Sequence, residues 1–224
     1  MATTALTMVN AVLRRLRQAQ VTDFSAAYSS LILDFVNETK REVEDAWQWT
    51  MLRQTITITT SAGTQTYAIP LYALGYDPER WQSNDKFGRI FNTTTGGILW
   101  PKSADAIEEF KWITTTTNAE PVNYCVSGTD GTNSTIDLYP TPNDIYTLKM
   151  PLITPKLDLV NTIDLMYCPS APVILGAWAR AISERGEDQG IKTTDQYVLY
   201  QQALSYYIGL DAARVADETV WTPR

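Results

Sequence analysis

The hydrophobic period of this chain changes twice along its length, and this constrains the fold more than any other feature. Apolar residues recur every three or four positions in residues 5–19 and 25–47, which predicts two amphipathic helices. From Thr55 the period becomes two, and helical spacing returns at Ser170. Helices built from both ends of the chain must then pack together beside an inserted sheet. The predicted class is α+β, with a helical bundle formed by the N- and C-terminal helices and an inserted antiparallel β-sheet or sandwich.

The same pattern predicts where the parts begin and end. The predicted bundle comprises residues 1–52 and 168–212, the β-rich insertion comprises 53–167, and a C-terminal tail comprises 213–224. In the insertion, alternating residues on both sides of Ser61-Ala62-Gly63 predict a β-hairpin. Further strands are predicted at 87–91, 97–100, 123–126, 135–139 and 146–153, with two helical turns at 103–110. The last two helices are predicted from Ser170 to Gly186 and from about Thr194 past Leu210.

Composition excludes several kinds of activity. The chain has no histidine, which removes Ser-His-Asp and Cys-His catalysis and the usual zinc sites. A net charge of -7 argues against tight binding of nucleic acid, because affinity for phosphate comes mainly from clustered Lys and Arg. No phosphate-binding or dinucleotide-binding glycine motif occurs, and Cys125 and Cys168 are expected to be buried thiols. We expect no cofactor, no secretory leader and no membrane-spanning segment.

Carboxylates are the remaining candidates for catalysis. Glu108 with Glu109, and Glu184 with Asp188, are the residue types that glycosidases use as acid and base. The simpler interpretation is that these residues cap helices or lie on solvated helix faces. Replacing Glu108 or Glu184 with Gln separates the two interpretations, because only a hydrolase would lose an activity.

Three arginines and the aromatic residues are candidates for contacts with other molecules. Arg14, Arg15 and Arg17 lie near the end of the first amphipathic helix. They are candidates for contact with DNA or with a neighbouring subunit. The alternative is that they form the solvent-exposed side of the helix. Seven Trp and twelve Tyr residues exceed what a modest core needs, and aromatic residues are favoured at protein interfaces.

Three segments, in this order, resemble the head-to-tail adaptors of short-tailed phages, of the tail tubular protein A and head-completion type. The first is Trp47-Gln48-Trp49 followed by the threonine-rich residues 55–60 and by 63–70. The second combines Tyr124-Cys125-Val126-Ser127-Gly128 with Leu138-Tyr139-Pro140-Thr141-Pro142 and Tyr146-Thr147-Leu148. The third is residues 169–185 followed by 197–210. Together they cover most of residues 5–210, and the order of the segments carries the likeness.

The resemblance implies a structural protein and no enzyme. It implies a homo-oligomeric ring of about twelve copies that binds the portal protein and the tail nozzle, while double-stranded DNA passes through transiently. Such a protein is made in the host cytoplasm, resides in the virion at the portal vertex and contacts no membrane. C-terminal segments of that family commonly engage the portal, so Val220, Trp221 and Arg214 are candidate portal contacts. Two alternatives stay open: a tail-associated carboxylate-dependent hydrolase, and another neck or tail ring protein such as a stopper or terminator.

Overall fold

A computed structural model describes residues 3–113, 118–186 and 191–214. Within these ranges the helices are α1 Ala5–Arg15, α2 Ala27–Asp45, α3 Ala104–Ile113, α4 Ser170–Arg185 and α5 Ile191–Ala212. The strands are β1 Thr3–Thr4, β2 Arg53–Thr59, β3 Thr66–Ala68, β4 Gln82–Ser83, β5 Ile90–Asn92, β6 Ile98–Pro101, β7 Asn123–Thr129, β8 Ser134–Tyr139, β9 Thr147–Ile153 and β10 Leu165–Met166. The predicted α+β class is confirmed.

The chain divides into two compact units. A helical unit consists of Met1–Met51 and Asp158–Arg224, and a sheet unit consists of Leu52–Leu157. The helical unit contains α1, α2, α4, α5 and the short antiparallel pair β1–β10. The sheet unit contains β2 to β9 and α3. The helical unit is therefore made from two segments of sequence, and the sheet unit from one.

Helix α1 begins and ends at residues whose chemistry explains its length. Thr4 caps its start, since the backbone N–H of Thr7 donates to the Thr4 hydroxyl oxygen at 3.3 Å. Leu16 follows the last helical residue, and Arg17 then adopts a left-handed conformation with φ of 57°. A non-glycine residue at positive φ marks a turn, so the helix stops before residue 19, where the sequence pattern predicted its end.

Helix α4 contacts each of the other three helices of the helical unit. Its approach to α2 and α5 depends on Gly176, because a Cβ there would lie 2.5 Å from Thr39 Cγ2 and 3.2 Å from the Tyr200 ring. Arg180 of α4 fixes the same contact by donating to Thr39 Oγ1 at 2.9 Å and to Glu42 Oε2 at 2.7 Å. Close backbone approach and a charged hydrogen-bond pair therefore define how α2 and α4 pack.

The sheet of the sheet unit is mixed, whereas the sequence pattern predicted an antiparallel one. Its strand order is β2-β9-β5-β6-β7-β8-β3, and β4 also pairs with β9. Neighbouring strands are antiparallel except β6 and β7, which are parallel. Helix α3 lies between these two strands in the chain and supplies the crossover that a parallel pair needs. Ser103 caps α3, since the Ala106 N–H donates to its hydroxyl oxygen at 3.3 Å.

The predicted hairpin around residues 61–63 is wrong. β2 pairs with β9 and β3 pairs with β8, at opposite ends of the strand order. The intervening turn instead bonds to the chain before β9, with Gly63 N–H donating to Pro142 O at 2.8 Å. Six residues separate β2 from β3 and reach at most about 20 Å, so the sheet must curl until its two ends approach each other.

The curled sheet encloses one apolar core. Buried side chains come from β2 at one end of the strand order and from strands between the ends, and half-buried Tyr67 of β3, at the other end, packs against them. They include Ile56 and Ile58 of β2, Leu99 of β6, Ile136 of β8 and Leu148 of β9. A single shared core holds together strands that the local sequence pattern cannot pair, which explains why the hairpin prediction failed.

Asp85 organises the turn before β5. Its carboxylate accepts hydrogen bonds from the backbone N–H groups of Phe87 at 3.0 Å and Arg89 at 2.9 Å, and from Arg89 Nη2 at 2.8 Å. The hydrogen bond from the Arg89 guanidinium is the main reason why the pKa of Asp85 falls to about 2. The same guanidinium lies over the rings of Phe87 and Phe91, with 5.1 Å and 5.6 Å to the ring centroids. The turn therefore depends on an ionised carboxylate.

We expect Gly176→Ala to destabilise the helical unit by about 1 to 2 kcal/mol, because overpacking against Thr39 outweighs the higher helix propensity of Ala. Urea unfolding followed by circular dichroism measures the change. The matched control is Gly209→Ala, because a Cβ at this helical glycine would meet no atom within 4 Å. The control should gain up to about 1 kcal/mol, and an equal gain in both variants would contradict the packing argument.

We expect Asp85→Asn to reduce the free energy of unfolding by about 1 to 2 kcal/mol at pH 7. A carboxyl whose pKa is lowered on folding contributes stability above its unfolded pKa of about 3.9, and this contribution is lost as the pH falls toward its folded pKa. The difference in the free energy of unfolding between wild type and variant should therefore become smaller between about pH 4 and pH 2. Unfolding at pH 7, 4 and 3 measures it, with Glu109→Gln, an exposed change on α3, as the control.

Candidate assembly surfaces

Asp211 anchors the C-terminal end of α5. Its side chain is 2% exposed and accepts hydrogen bonds from Trp47 Nε1 at 3.2 Å, from the Thr50 backbone N–H at 3.0 Å and from Thr50 Oγ1 at 2.6 Å. Three donors satisfy a buried carboxylate that would otherwise be costly to desolvate. The chain therefore continues past Arg214 from a fixed position on the helical unit. Sequence reasoning missed Asp211, because its partners lie more than 160 residues earlier in the chain.

An apolar groove lies next to this anchor. It has a volume of about 440 Å3 and is lined by Thr3, Met51, Met166, Tyr167, Pro169 and Tyr207. A smaller cavity of about 80 Å3 adds Leu210 and Arg214. The Arg214 side chain is 60% exposed and lies 3.6 Å from Asp211 Oδ1. Arg214 was predicted as a portal contact; the structure places it at the rim of an apolar groove, whereas Val220 and Trp221 lie outside the described residues.

Helix α5 exposes a second apolar face. Tyr200 and Leu204 are buried, as the sequence pattern predicted, whereas Leu199, Tyr206 and Leu210 are exposed on a different stripe of the helix. Tyr197 has the same helical spacing as Tyr200 and was predicted to share its face, but it is 49% exposed. With Ala203, the residues of the exposed stripe recur at spacings of four, three and four, which is the spacing of a coiled-coil seam. We call residues 199, 203, 206 and 210 the α5 seam. Sequence reasoning had assigned α5 only one apolar face.

The α5 seam lies on a surface without charge. From residue 196 to residue 210 the sequence contains no Asp, Glu, Lys or Arg. The polar residues exposed there, Gln202 and Ser205, are neutral. An exposed helix face of a monomeric protein normally carries charged residues, and depletion of charge is typical of the centre of a protein interface. This absence of charge is the signal from which the second face could have been predicted.

The three candidate arginines of α1 have different surroundings. Arg14 and Arg15 lie in the last turn of the helix, where cations interact favourably with the helix dipole. Arg15 Nη1 donates to Ala11 O at 3.1 Å, and its guanidinium lies 6.0 Å from the Trp178 ring centroid. Arg14, Arg15 and Arg17 are all exposed. Arg15 also has contacts within its own chain.

The candidate carboxylates lie on helix surfaces. Glu108 Oε1 accepts from Lys111 Nζ at 2.7 Å, and the same ammonium group lies 3.3 Å from Asp137 Oδ2. A glutamate and a lysine three residues apart form a common surface pair on a helix. Glu109 and Glu184 are exposed, and Asp188 lies outside the described residues.

The described residues 3–113, 118–186 and 191–214 contain no candidate metal centre: no three His, Cys, Asp or Glu side chains in these ranges are grouped so that they could hold a metal ion. None of the helices in these ranges combines the length and the apolar character that a bilayer crossing requires. Cys125 and Cys168 are buried thiols, as predicted. The Cys168 thiol donates to the Met166 sulfur at 3.2 Å.

These features define a protein that presents contact surfaces to other proteins. A comparison with protein families identifies the class: the family model described as SU10 adaptor protein matches residues 3–223. The chain belongs to the SU10 adaptor protein family and is a phage head-to-tail adaptor. This confirms the resemblance found in the sequence. A search of curated proteins found no match.

Family membership gives the chain a structural role in a bacteriophage. An adaptor contacts other head and tail proteins of the phage and is a part of the virion. The α5 seam, the groove and the end of α5 at Arg214 are exposed parts of the helical unit.

We expect Asp211→Ala to destabilise the helical unit by about 1 to 3 kcal/mol, because three partly buried donors of Trp47 and Thr50 would lose their acceptor. Hydrogen exchange should increase most at the end of α5 and around Thr50. The control is Asp195→Ala, an exposed position on the same helix. Equal exchange rates in wild type and Asp211→Ala would show that the carboxylate does not anchor the helix.

Proposed function

We propose that copies of this chain form a closed ring that joins the portal to the tail nozzle of a short-tailed phage and lets DNA pass through its channel. The observation that carries this proposal is the family match over residues 3–223. The ring is expected to contain about twelve copies. Identical head-to-tail contacts between neighbouring copies close such a ring by rotational symmetry. The helices of residues 1–52 and 168–212 form its bundle, residues 53–167 the β-rich insertion, and residues 213–224 the tail.

The charge of the chain supports passage of DNA without tight binding. Twenty-five acidic residues outnumber eighteen basic ones, so a ring of these chains is strongly acidic. Clustered basic residues would hold phosphates and slow the DNA. In this proposal, exposed Arg14 and Arg17 supply isolated contacts, either at the lumen or between subunits, and Arg15 supports the helix end.

The portal contact is assigned to the C-terminal end of the chain. Asp211 holds the end of α5, and the Arg214 side chain is exposed at the rim of the groove. Val220 and Trp221 follow within a few residues in the sequence. Trp and Arg are the residue types that most often dominate binding energy at protein interfaces. Arg214, Val220 and Trp221 are therefore the proposed portal contacts.

The experiment mixes the purified chain with its portal protein and counts subunits by native mass spectrometry and electron microscopy. We expect a ring of about twelve copies on the portal. Deleting residues 217–224 should leave the protein folded and abolish docking, and Trp221→Ala should weaken docking at least about 10-fold. Thr219→Ala, two residues away, is the matched control and should dock normally. Unchanged docking of the truncated protein would contradict the assigned contact, and absence of any ring on the portal would contradict the function.

The same preparation tests the two alternatives. A hydrolase of cell-wall polymer or capsule would lose its activity in Glu108→Gln or Glu184→Gln, whereas an adaptor should dock unchanged with either substitution. A stopper or terminator would form rings but would bind a different neck or tail protein instead of the portal.

A further inference from the structure

A second exposed apolar surface lies on the segment of residues 158–164, which we call the 158–164 loop. Val160 is 68% exposed and Ile163 is 77% exposed. Asn37 of α2 binds the backbone of the loop through two hydrogen bonds. Its Nδ2 donates to Leu159 O at 2.9 Å, and its Oδ1 accepts from the Leu159 N–H at 2.9 Å. Leu159 itself is buried. The two exposed aliphatic side chains are therefore presented by an anchored backbone.

The loop is closed on itself and holds the start of α1. Asp164 Oδ2 accepts from the backbone N–H groups of Val160 at 2.8 Å and Asn161 at 2.7 Å. Its own carbonyl accepts from the Ala5 N–H at 2.9 Å, one of the donors that a helix start leaves without an intrahelical partner. A preorganised loop loses little conformational entropy when it binds.

Both acidic residues of the loop already have partners. Asp158 forms an ion pair with Arg41, whose Nε donates to Asp158 Oδ1 at 3.0 Å. The backbone donors to Asp164 keep its pKa below the usual range despite the opposing effect of burial. Between these two carboxylates the residues are Leu, Val, Asn, Thr and Ile, and none of them is charged. The residues that the 158–164 loop exposes between its two carboxylates are therefore uncharged, and both carboxylates are held by partners within the chain.

The two surfaces lie on different elements of the helical unit. The loop bonds to α1 and α2, through Ala5, Asn37 and Arg41. The seam lies on α5, which packs on α4. A ring with head-to-tail symmetry needs two different surfaces on every copy that bind each other. The seam and the loop are two different exposed apolar surfaces among the described residues.

Charge indicates what these surfaces bind. A copy with a net charge of -7 repels another copy, so two copies can meet closely only where neither brings acidic groups. The α5 seam and the 158–164 loop are both exposed, apolar and without unpaired charge. A second copy of this chain is therefore the occupant that best explains their common composition.

We propose that the α5 seam of one copy packs against the 158–164 loop of the next copy. Leu199, Tyr206 and Leu210 supply the seam, and Val160 and Ile163 insert between them. Because each copy retains one free seam and one free loop, the contact propagates from copy to copy. Closure into a ring rests on the proposed function, whereas the pairwise contact does not.

Two variants each disable one side of this contact. The seam variant carries Leu199→Glu and Tyr206→Glu, and the loop variant carries Val160→Glu and Ile163→Glu. All four positions are exposed, so folding should be preserved, which circular dichroism and thermal unfolding verify. The control carries Thr22→Glu and Ser30→Glu, two exposed polar positions of the helical unit that add the same charge.

Self-association is measured by sedimentation velocity and native mass spectrometry, up to the highest soluble concentration. We expect the wild type and the control to form oligomers, and either variant alone to associate at least about 100-fold more weakly. An equimolar mixture of the two variants should give a one-to-one dimer and nothing larger, because exactly one intact seam meets one intact loop. If the seam and the loop were needed only for folding, the mixture of the two variants would not form this dimer.

Three results would overturn the inference. The loop variant could still form oligomers by itself, which would indicate symmetric pairing of seam with seam. The mixture could fail to form the dimer, or the wild type could remain monomeric over the whole concentration range. The proposed function is judged separately, since rings counted on the portal would support it in each of these cases.

Discussion

The close approach of α2, α4 and α5 at Gly176 is the contact on which the helical unit depends. A side chain at that position would collide with Thr39 and with the Tyr200 ring. Arg180 reinforces the same contact by binding Thr39 and Glu42. Because α5 is held against α4 along the stripe of Tyr200 and Leu204, the neighbouring stripe of Leu199, Tyr206 and Leu210 remains on the surface. The exposed seam is thus a consequence of how tightly the buried side of α5 is packed.

The chain combines an acidic composition with exposed regions that carry no charge. Acidic groups keep copies apart and give DNA little to hold, whereas the α5 seam and the 158–164 loop have no charge that would oppose contact. A phage adaptor contacts other head and tail proteins, and surfaces without charge are suited to such contacts.

Helices and most strands could be predicted from sequence because their apolar periods are local. Strand pairing could not: β2 and β3 flank a glycine turn, yet each pairs with a distant strand because one closed core collects residues from the whole sheet. Asp211 gave no local signal, because Trp47 and Thr50 approach it only in the folded chain. The α5 seam could have been predicted from fifteen residues without charge, once two apolar faces on one helix are considered.

Because the helical unit is made from two segments of sequence, the two units can complete their folds at different times during translation. The sheet unit is contiguous, so it has all of its strands as soon as residue 157 has emerged. Helices α1 and α2 are translated before the sheet unit, and α4 and α5 after it, so the contacts of α4 with α1 and α2 can form only after the sheet unit has been synthesised. The α5 seam therefore becomes available to another copy later than any surface of the sheet unit.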